Sequence, residues 1–91
     1  MSREILLRIQ ELIIEEKAIE ARKIFKSIEP EESAIFYFTK GVLEQKFQNW
    51  GEAINAFTRV LEIDPNNLDA KNNLHLVRNI LNFWNPEMFN P

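Results

Sequence analysis

Apolar residues recur at helical spacing along almost the whole chain. Ile5, Leu6, Ile9, Leu12 and Ile13 form one set, and Ala18, Ala21, Phe25 and Ile28 a second. After Pro30 come Ala34, Phe38 and Val42, then Ala53, Ala56, Phe57, Val60 and Leu61, and after Pro65 come Leu74, Val77, Leu81 and Trp84. Steps of three and four place such residues on one face of a helix, whereas a half-buried strand needs strict alternation, which no stretch shows. The pattern predicts an all-α protein with helices of about a dozen residues.

The breaks between these segments have local causes. Pro30 and Pro65 lack the amide hydrogen that a continuing helix needs, and each restrains the residue before it, Glu29 or Asp64, from helical torsions. Helices are therefore expected to end just before both. Ser33 can cap the helix after Pro30, and Asn66 or Asn67 the helix after Pro65. Asn49-Trp50-Gly51-Glu52 has the form of a capping box and predicts a helix from near Trp50. Between Leu12 and Ala18 there is no Gly, Pro or Asn. Two readings stay open there: one long helix over 2–28, or a hairpin turning near Glu15 and Glu16.

Setting Pro65 on Pro30 offsets the chain by 65 − 30 = 35 residues and brings out a repeat. Ala53 then falls on Ala18, Ile54 on Ile19, Ala56 on Ala21, Ile63 on Ile28 and Asp64 on Glu29. A repeat of this length, made of a helix pair, implies a stack of hairpins. The segment 34–67 resembles a tetratricopeptide repeat. Tyr37 stands in the first aromatic slot, Gly41 in the glycine slot, Ala53 and Phe57 in the Ala/Phe pair and Pro65 at the closing proline, while Lys40 and Glu44 depart from the usual Leu and Tyr. In the preceding copy Ala18 and Pro30 keep their places, with Leu6 in the glycine slot and Arg22 in the Phe slot. In the following one Leu74 is kept, and Lys71 and His75 replace the aromatic and the glycine.

The resemblance implies an α-α superhelix of antiparallel helix hairpins over residues 1–85, with repeats at about 1–33 and 34–67, a capping helix at 68–85 and a tail at 86–91. Gly41 and Ala53 are expected to be small because the helices of a hairpin cross there, with Tyr37 and Phe57 filling the space beside them. It also implies that the first helix of each repeat lines a concave groove. Ile35, Phe38, Thr39 and Val42 fall there, with Asp69, Asn72, Asn73 and Leu76 from the last helix and Arg3, Glu4 and Leu7 from the first. A groove that clamps a peptide carboxylate carries several cations, and here only Arg3 is basic, so apolar side chains are the expected ligands.

Composition removes most other functions. Eleven Lys and Arg against fourteen Asp and Glu give 91 residues a formal charge of −3, with no basic excess for nucleic acid. The chain has no cysteine, one histidine and two glycines. No disulfide, thiol nucleophile, Cys/His zinc site or phosphate-cradling loop is expected, and no cofactor. His75, with Lys71, Asn72, Arg78 and Asn79 around it, lacks a carboxylate to orient it and reads as a surface residue. Glu15-Glu16 and Glu31-Glu32 read as solvated acids near helix starts. Arg3, Glu4, Arg8 and Glu11 interrupt the apolar N-terminal run, so neither a secretory signal nor a membrane-spanning or lipid-binding helix is expected, and the reading is cytoplasmic.

The expectation is thus a non-enzymatic module that holds a partner protein's peptide or helix through Ile35, Phe38, Thr39, Val42, Asn73 and Leu76. The alternative is a self-associating scaffold, a homodimer made through Phe83, Trp84, Met88 and Phe89. About two repeats fall short of the roughly three that a stable stack needs, and the tail is dense in aromatics.

Overall fold

The computed structural model describes residues 2–84. They form α1 (Ser2–Ile14), α2 (Ala18–Ser27), α3 (Ala34–Lys46), α4 (Trp50–Ile63) and α5 (Leu68–Trp84), with no strand among the described residues. The apolar periodicity is thus realised as five helices, and the helix breaks fall before Pro30 and Pro65. Ser33 caps α3 by accepting the Phe36 amide at 3.2 Å, and Asn67 caps α5 by accepting the Ala70 amide at 2.9 Å. Asn49 sits at the N-cap of α4, but its side chain makes no capping bond, so the expected capping box does not form.

Residues 2–28 form a hairpin, not one helix. Glu16 takes a left-handed backbone (φ 64°), and the Lys17 amide reaches the Leu12 carbonyl at 2.8 Å while the Glu16 amide reaches Ile13 at 3.2 Å. This pair of bonds is the Schellman ending of a helix. The same ending recurs at Gln48 (φ 61°), with Asn49 bonded to Glu44 at 2.9 Å and Gln48 to Gln45 at 3.0 Å. A non-glycine residue pays a conformational cost in this region, so both turns rest on the packing of the helices they join.

The two turns correct the register read from the prolines. Helix starts and turns correspond at an offset of 32 residues (34 − 2, 48 − 16 and 50 − 18). At that offset Ala53 matches Ala21 and Phe57 matches Phe25, not Ala18 and Arg22, and Gly41 matches Ile9 instead of Leu6. Burial agrees: Ala21 and Ala53 are both fully buried, whereas Ala18 is half-buried. Since α2 has 10 residues and α4 has 14, α2 is about one turn short, and with one more residue between α2 and Pro30 than between α4 and Pro65 the prolines return to an offset of 35.

Two apolar clusters result. Leu6, Ile9, Leu12 and Ile13 of α1 meet Ala21 of α2 and Phe36 and Leu43 of α3. There the Phe25 and Phe36 rings stack at 5.0 Å between centroids. Ala53, Phe57 and Val60 of α4 meet Ala70, Leu74 and Val77 of α5 in the other cluster. Tyr37 and Val42 of α3 pack against both, so α3 is the wall the two clusters share. The α3–α4 contact is the most extensive in the molecule, and α5 leans on α4 with no comparable contact to α3.

The α3–α4 crossing depends on Gly41. A Cβ placed there would lie 2.5 Å from Cε1 of Phe57, and Phe57 is itself fully buried and cannot swing aside. Gly51, by contrast, has nothing within 4 Å of such a Cβ. Two identical substitutions should therefore have opposite effects. Gly41→Ala should lower stability by about 1 to 3 kcal/mol through overpacking, despite the better helix propensity of alanine. Gly51→Ala should raise it by roughly 0.5 kcal/mol. Urea midpoints of the two variants read this directly, and shifts of the same sign would contradict the close approach at Gly41.

Candidate functional site

Helices α1, α3 and α5 together line two open depressions. The first, of about 320 Å3, is bounded by Arg3, Leu7 and Gln10 of α1, Ala34, Ile35 and Phe38 of α3, and Asn67 and Asp69 at the start of α5. The second, of about 400 Å3, is bounded by Ile13 and Ile14 of α1, Val42, Gln45 and Lys46 of α3, Gln48 and Trp50 at the next turn, and Asn73 of α5. Ile35 and Val42 are two helical turns apart on α3, so the depressions follow one another along a seam with a spacing of roughly 10 Å. The seam stays open because α5 is held by α4. A larger hollow of about 540 Å3 is bounded only by residues of one segment, Glu16 to Lys23, and is the outer surface of the α1–α2 turn.

The structure distributes the expected contact residues unevenly. Ile35 and Phe38 border the first depression, and Val42 and Asn73 the second. All four are half-buried, and Phe38 leans on Phe57 at 5.8 Å between ring centroids. The Asn73 side chain donates to the Asp69 carbonyl at 2.8 Å, which fixes it along α5. Leu76 is 48% exposed on α5 and borders neither depression. Thr39 requires a correction. It is fully buried, donates its hydroxyl to the Ile35 carbonyl at 2.7 Å, and accepts from Gln10 Nε2 at 2.8 Å. Its role is to join α1 to α3 beneath the surface, which a threonine manages because its hydroxyl can bond one turn back.

Nine lining residues were not expected there from the sequence: Gln10, Ala34 and Asn67 at the first depression, and Ile13, Ile14, Gln45, Lys46, Gln48 and Trp50 at the second. Ile14 carries a signal that was there to read. It is apolar yet falls off the stripe of Leu6, Ile9, Leu12 and Ile13, and it is 80% exposed. Gln45 Oε1 is buried at the side of the second depression with no hydrogen-bond partner. Of the residues expected to self-associate, Phe83 is 77% exposed and Trp84 ends α5, while Met88 and Phe89 lie outside the described residues.

Besides Arg3, Asp69 and Lys46 on the seam, a group of bonded charges lies before α3. The Glu32 carboxylate accepts from the Tyr37 hydroxyl at 2.5 Å and from Arg59, which also reaches Glu62 at 3.2 Å. Glu31 accepts from Ser2 and, at 2.7 Å, from Ser33. These bonds tie the segment before α3 to α1 and α4, so Glu31 and Glu32, which stay partly or largely solvated near the start of α3, also have specific partners. The Tyr37 bond, helped by Arg59, holds Glu32 below the ordinary carboxylate range, and the bonds from Ser2 and Ser33 do the same for Glu31. The same Glu32 bond pushes the Tyr37 phenol above its ordinary value and raises the Arg59 guanidinium.

His75 is exposed on α5, and no group of three or more His, Asp or Glu suited to a metal ion occurs among the described residues. No helix among them is long and apolar enough to cross a membrane. Compared with known proteins, the chain matches no family model, no curated protein and no solved structure.

Because Tyr37 is the one tyrosine of the chain, its ionisation can be followed alone by absorbance near 295 nm. A folded value raised above 10.0 gives stabilisation that is complete below that pH and lost as pH rises through the folded value. For Glu32, with the opposite shift, stabilisation is present above 4.5 and lost as pH falls through the folded value. The Tyr37 midpoint is expected above 10.0 and should fall back in Glu32→Gln. An unchanged midpoint in that variant would show that the Glu32 bond does not form.

Proposed function

We propose that this chain is a non-catalytic interaction module, a short superhelix of the tetratricopeptide type that seats a peptide or helix of a partner protein along the seam between α1, α3 and α5. The observation that carries the reading is the alignment of Leu7, Ile35 and Phe38 with Ile14, Val42 and Trp50 in two successive depressions whose linings mix apolar with polar side chains. Amide and charged side chains stand at the rim, among them Gln10, Asn67, Asp69, Gln48 and Asn73. Apolar pockets with a few polar groups at the edge suit the anchor residues of a docked segment, and two pockets about 10 Å apart suit two such anchors.

The repeat assignment is supported by the close approach of Phe57 to Gly41, the buried Ala21 and Ala53, and the same turn recurring at Glu16 and Gln48. A binding role in place of catalysis is supported by the surroundings of His75, where Lys71 and Arg78 lie one turn away and no carboxylate does. With a net charge of −3 and only Arg3 and Lys46 as cations along the seam, nucleic acid and anionic lipid fit the surface poorly, and a cytoplasmic protein partner fits it better. Self-association is the second reading. It is favoured by Leu68, Leu76 and Phe83, which leave large apolar side chains exposed on α5.

Pull-downs from the native source with three variants separate these readings. Leu7→Asp and Phe38→Asp should each weaken capture of the partner about tenfold or more, the equivalent of about 1.4 kcal/mol. Ile19→Asp, at a residue 69% exposed on α2 and away from the seam, should leave capture unchanged. Equal behaviour of Leu7→Asp and Ile19→Asp would contradict the seam. A wild-type dimer in sedimentation that Phe83→Asp converts to monomer would favour the second reading.

A further inference from the structure

We infer that the occupant of the seam is α5 of a second copy of this chain, laid parallel to α1, so that copies associate head to tail. The inference rests on the seam as a docking surface and adds what fills it. Of the eight large apolar residues that the described chain leaves exposed, three are on α1 (Ile5, Leu7 and Ile14) and three on α5 (Leu68, Leu76 and Phe83). Leu7 and Ile14 border the two depressions. Those on α5 border neither, and helical geometry puts them on the side of α5 turned away from Ala70, Leu74 and Val77, which hold it to α4. One chain thus carries a receiving line and an outward one. Because these are different surfaces, a contact between them is heterologous and repeats from copy to copy.

The two lines correspond in spacing and in charge. On α1, Glu4 and Glu11 stand seven residues apart beside Leu7 and Ile14, also seven apart. On α5 the same interval separates Lys71 from Arg78 and Leu76 from Phe83. Seven residues are about two turns, roughly 10 Å, so both pairs on one helix can meet both pairs on the other in a single register. The charges match at an offset of 71 − 4 = 78 − 11 = 67 residues and the apolar side chains at 76 − 7 = 83 − 14 = 69, a stagger of about 3 Å that side chains span. At about 100° per residue, the acids lie on one hand of the apolar line of α1 and the cations on the other hand of the apolar line of α5. Parallel helices bring opposite hands together, so acid faces cation along one edge and apolar meets apolar along the other. Antiparallel helices would set the acids against Leu76 and Phe83. All four charged residues are exposed. Among the described residues Glu4, Lys71 and Arg78 make no ion pair, and Glu11 has only Arg8, at 3.6 Å. A single helix seated in this way buries on the order of 1,000 Å2 in total, less than an obligate interface, so the association is reversible and concentration-dependent.

Sedimentation equilibrium of the whole chain tests this. Wild type should grow in mass with concentration past the dimer, and added salt should reverse the growth. Glu4→Lys with Glu11→Lys spoils the receiving line, and Lys71→Glu with Arg78→Glu spoils the outward one. Each double variant should associate at least tenfold more weakly. The chain carrying all four exchanges keeps the net charge of −3 and should associate again, which neither a misfolded variant nor a simple net-charge effect would produce. Failure of that rescue would overturn the inference. A wild type that stays monomeric would overturn it too, while the seam would still stand or fall by the pull-downs with Leu7→Asp and Phe38→Asp. A dimer that grows no further, or one left intact by Glu4→Lys with Glu11→Lys, would contradict it in favour of α5 pairing with α5.

Discussion

The ring of Phe57 rests on the bare backbone of Gly41, and the pairing of α3 with α4 is built around that contact. It brings α4 closer to α3 than any side chain at Gly41 would permit, and the α3–α4 pair is accordingly the broadest contact in the molecule. Because α4 is drawn in on one side, α3 keeps another side free for α1 and α2, where Phe36 and Leu43 enter the first cluster. Tyr37 and Val42 take part in both clusters, so a shift at the crossing would reach all five helices. Close-packed interiors transmit displacement in this way instead of absorbing it.

The seam is a consequence of the same arrangement. α5 is fixed through Ala70, Leu74 and Val77 to α4, while α1 is fixed to α3 through its apolar stripe and the Gln10–Thr39 bond. Neither attachment closes the space between α3 and α5. What remains is a surface lined by Ile35, Phe38 and Val42 together with polar side chains, while Glu32, Tyr37 and Arg59 bond to one another elsewhere, at the segment that leads into α3. Of the eight large apolar residues that the described chain leaves exposed, Leu7 and Ile14 border the seam and the other six lie elsewhere.

Much of this was legible in the sequence, and what was not has physical reasons. Pro30 and Pro65 announce helix ends because the missing amide is a local fact, and Ser33 and Asn67 announce caps for the same reason. Gly41, Ala53 and Phe57 stood out through the resemblance of 34–67 to a tetratricopeptide repeat. The turn at Glu16 stood only as one of two open readings and that at Gln48 was not singled out, because a left-handed residue is usually glycine and here two ordinary residues are held in that shape by the helices on either side. The proline alignment gave the wrong partner for Ala53, since the missing turn of α2 leaves its mark only in three dimensions. Thr39 looked like a surface residue until its hydroxyl was seen to be satisfied internally, and the Glu32–Tyr37–Arg59 group joins residues too far apart in sequence for any local pattern to reveal.

Native-state hydrogen exchange tests the dependence on the α3–α4 crossing most directly, because it ranks helices by the free energy at which each opens. If the Gly41–Phe57 contact organises the rest, amides in the middle of α3 and α4 should share the greatest protection and exchange only on global unfolding, with α5 and the α1–α2 hairpin opening at lower free energy. Greater protection in α1 or α5 than in α3 and α4 would contradict that account.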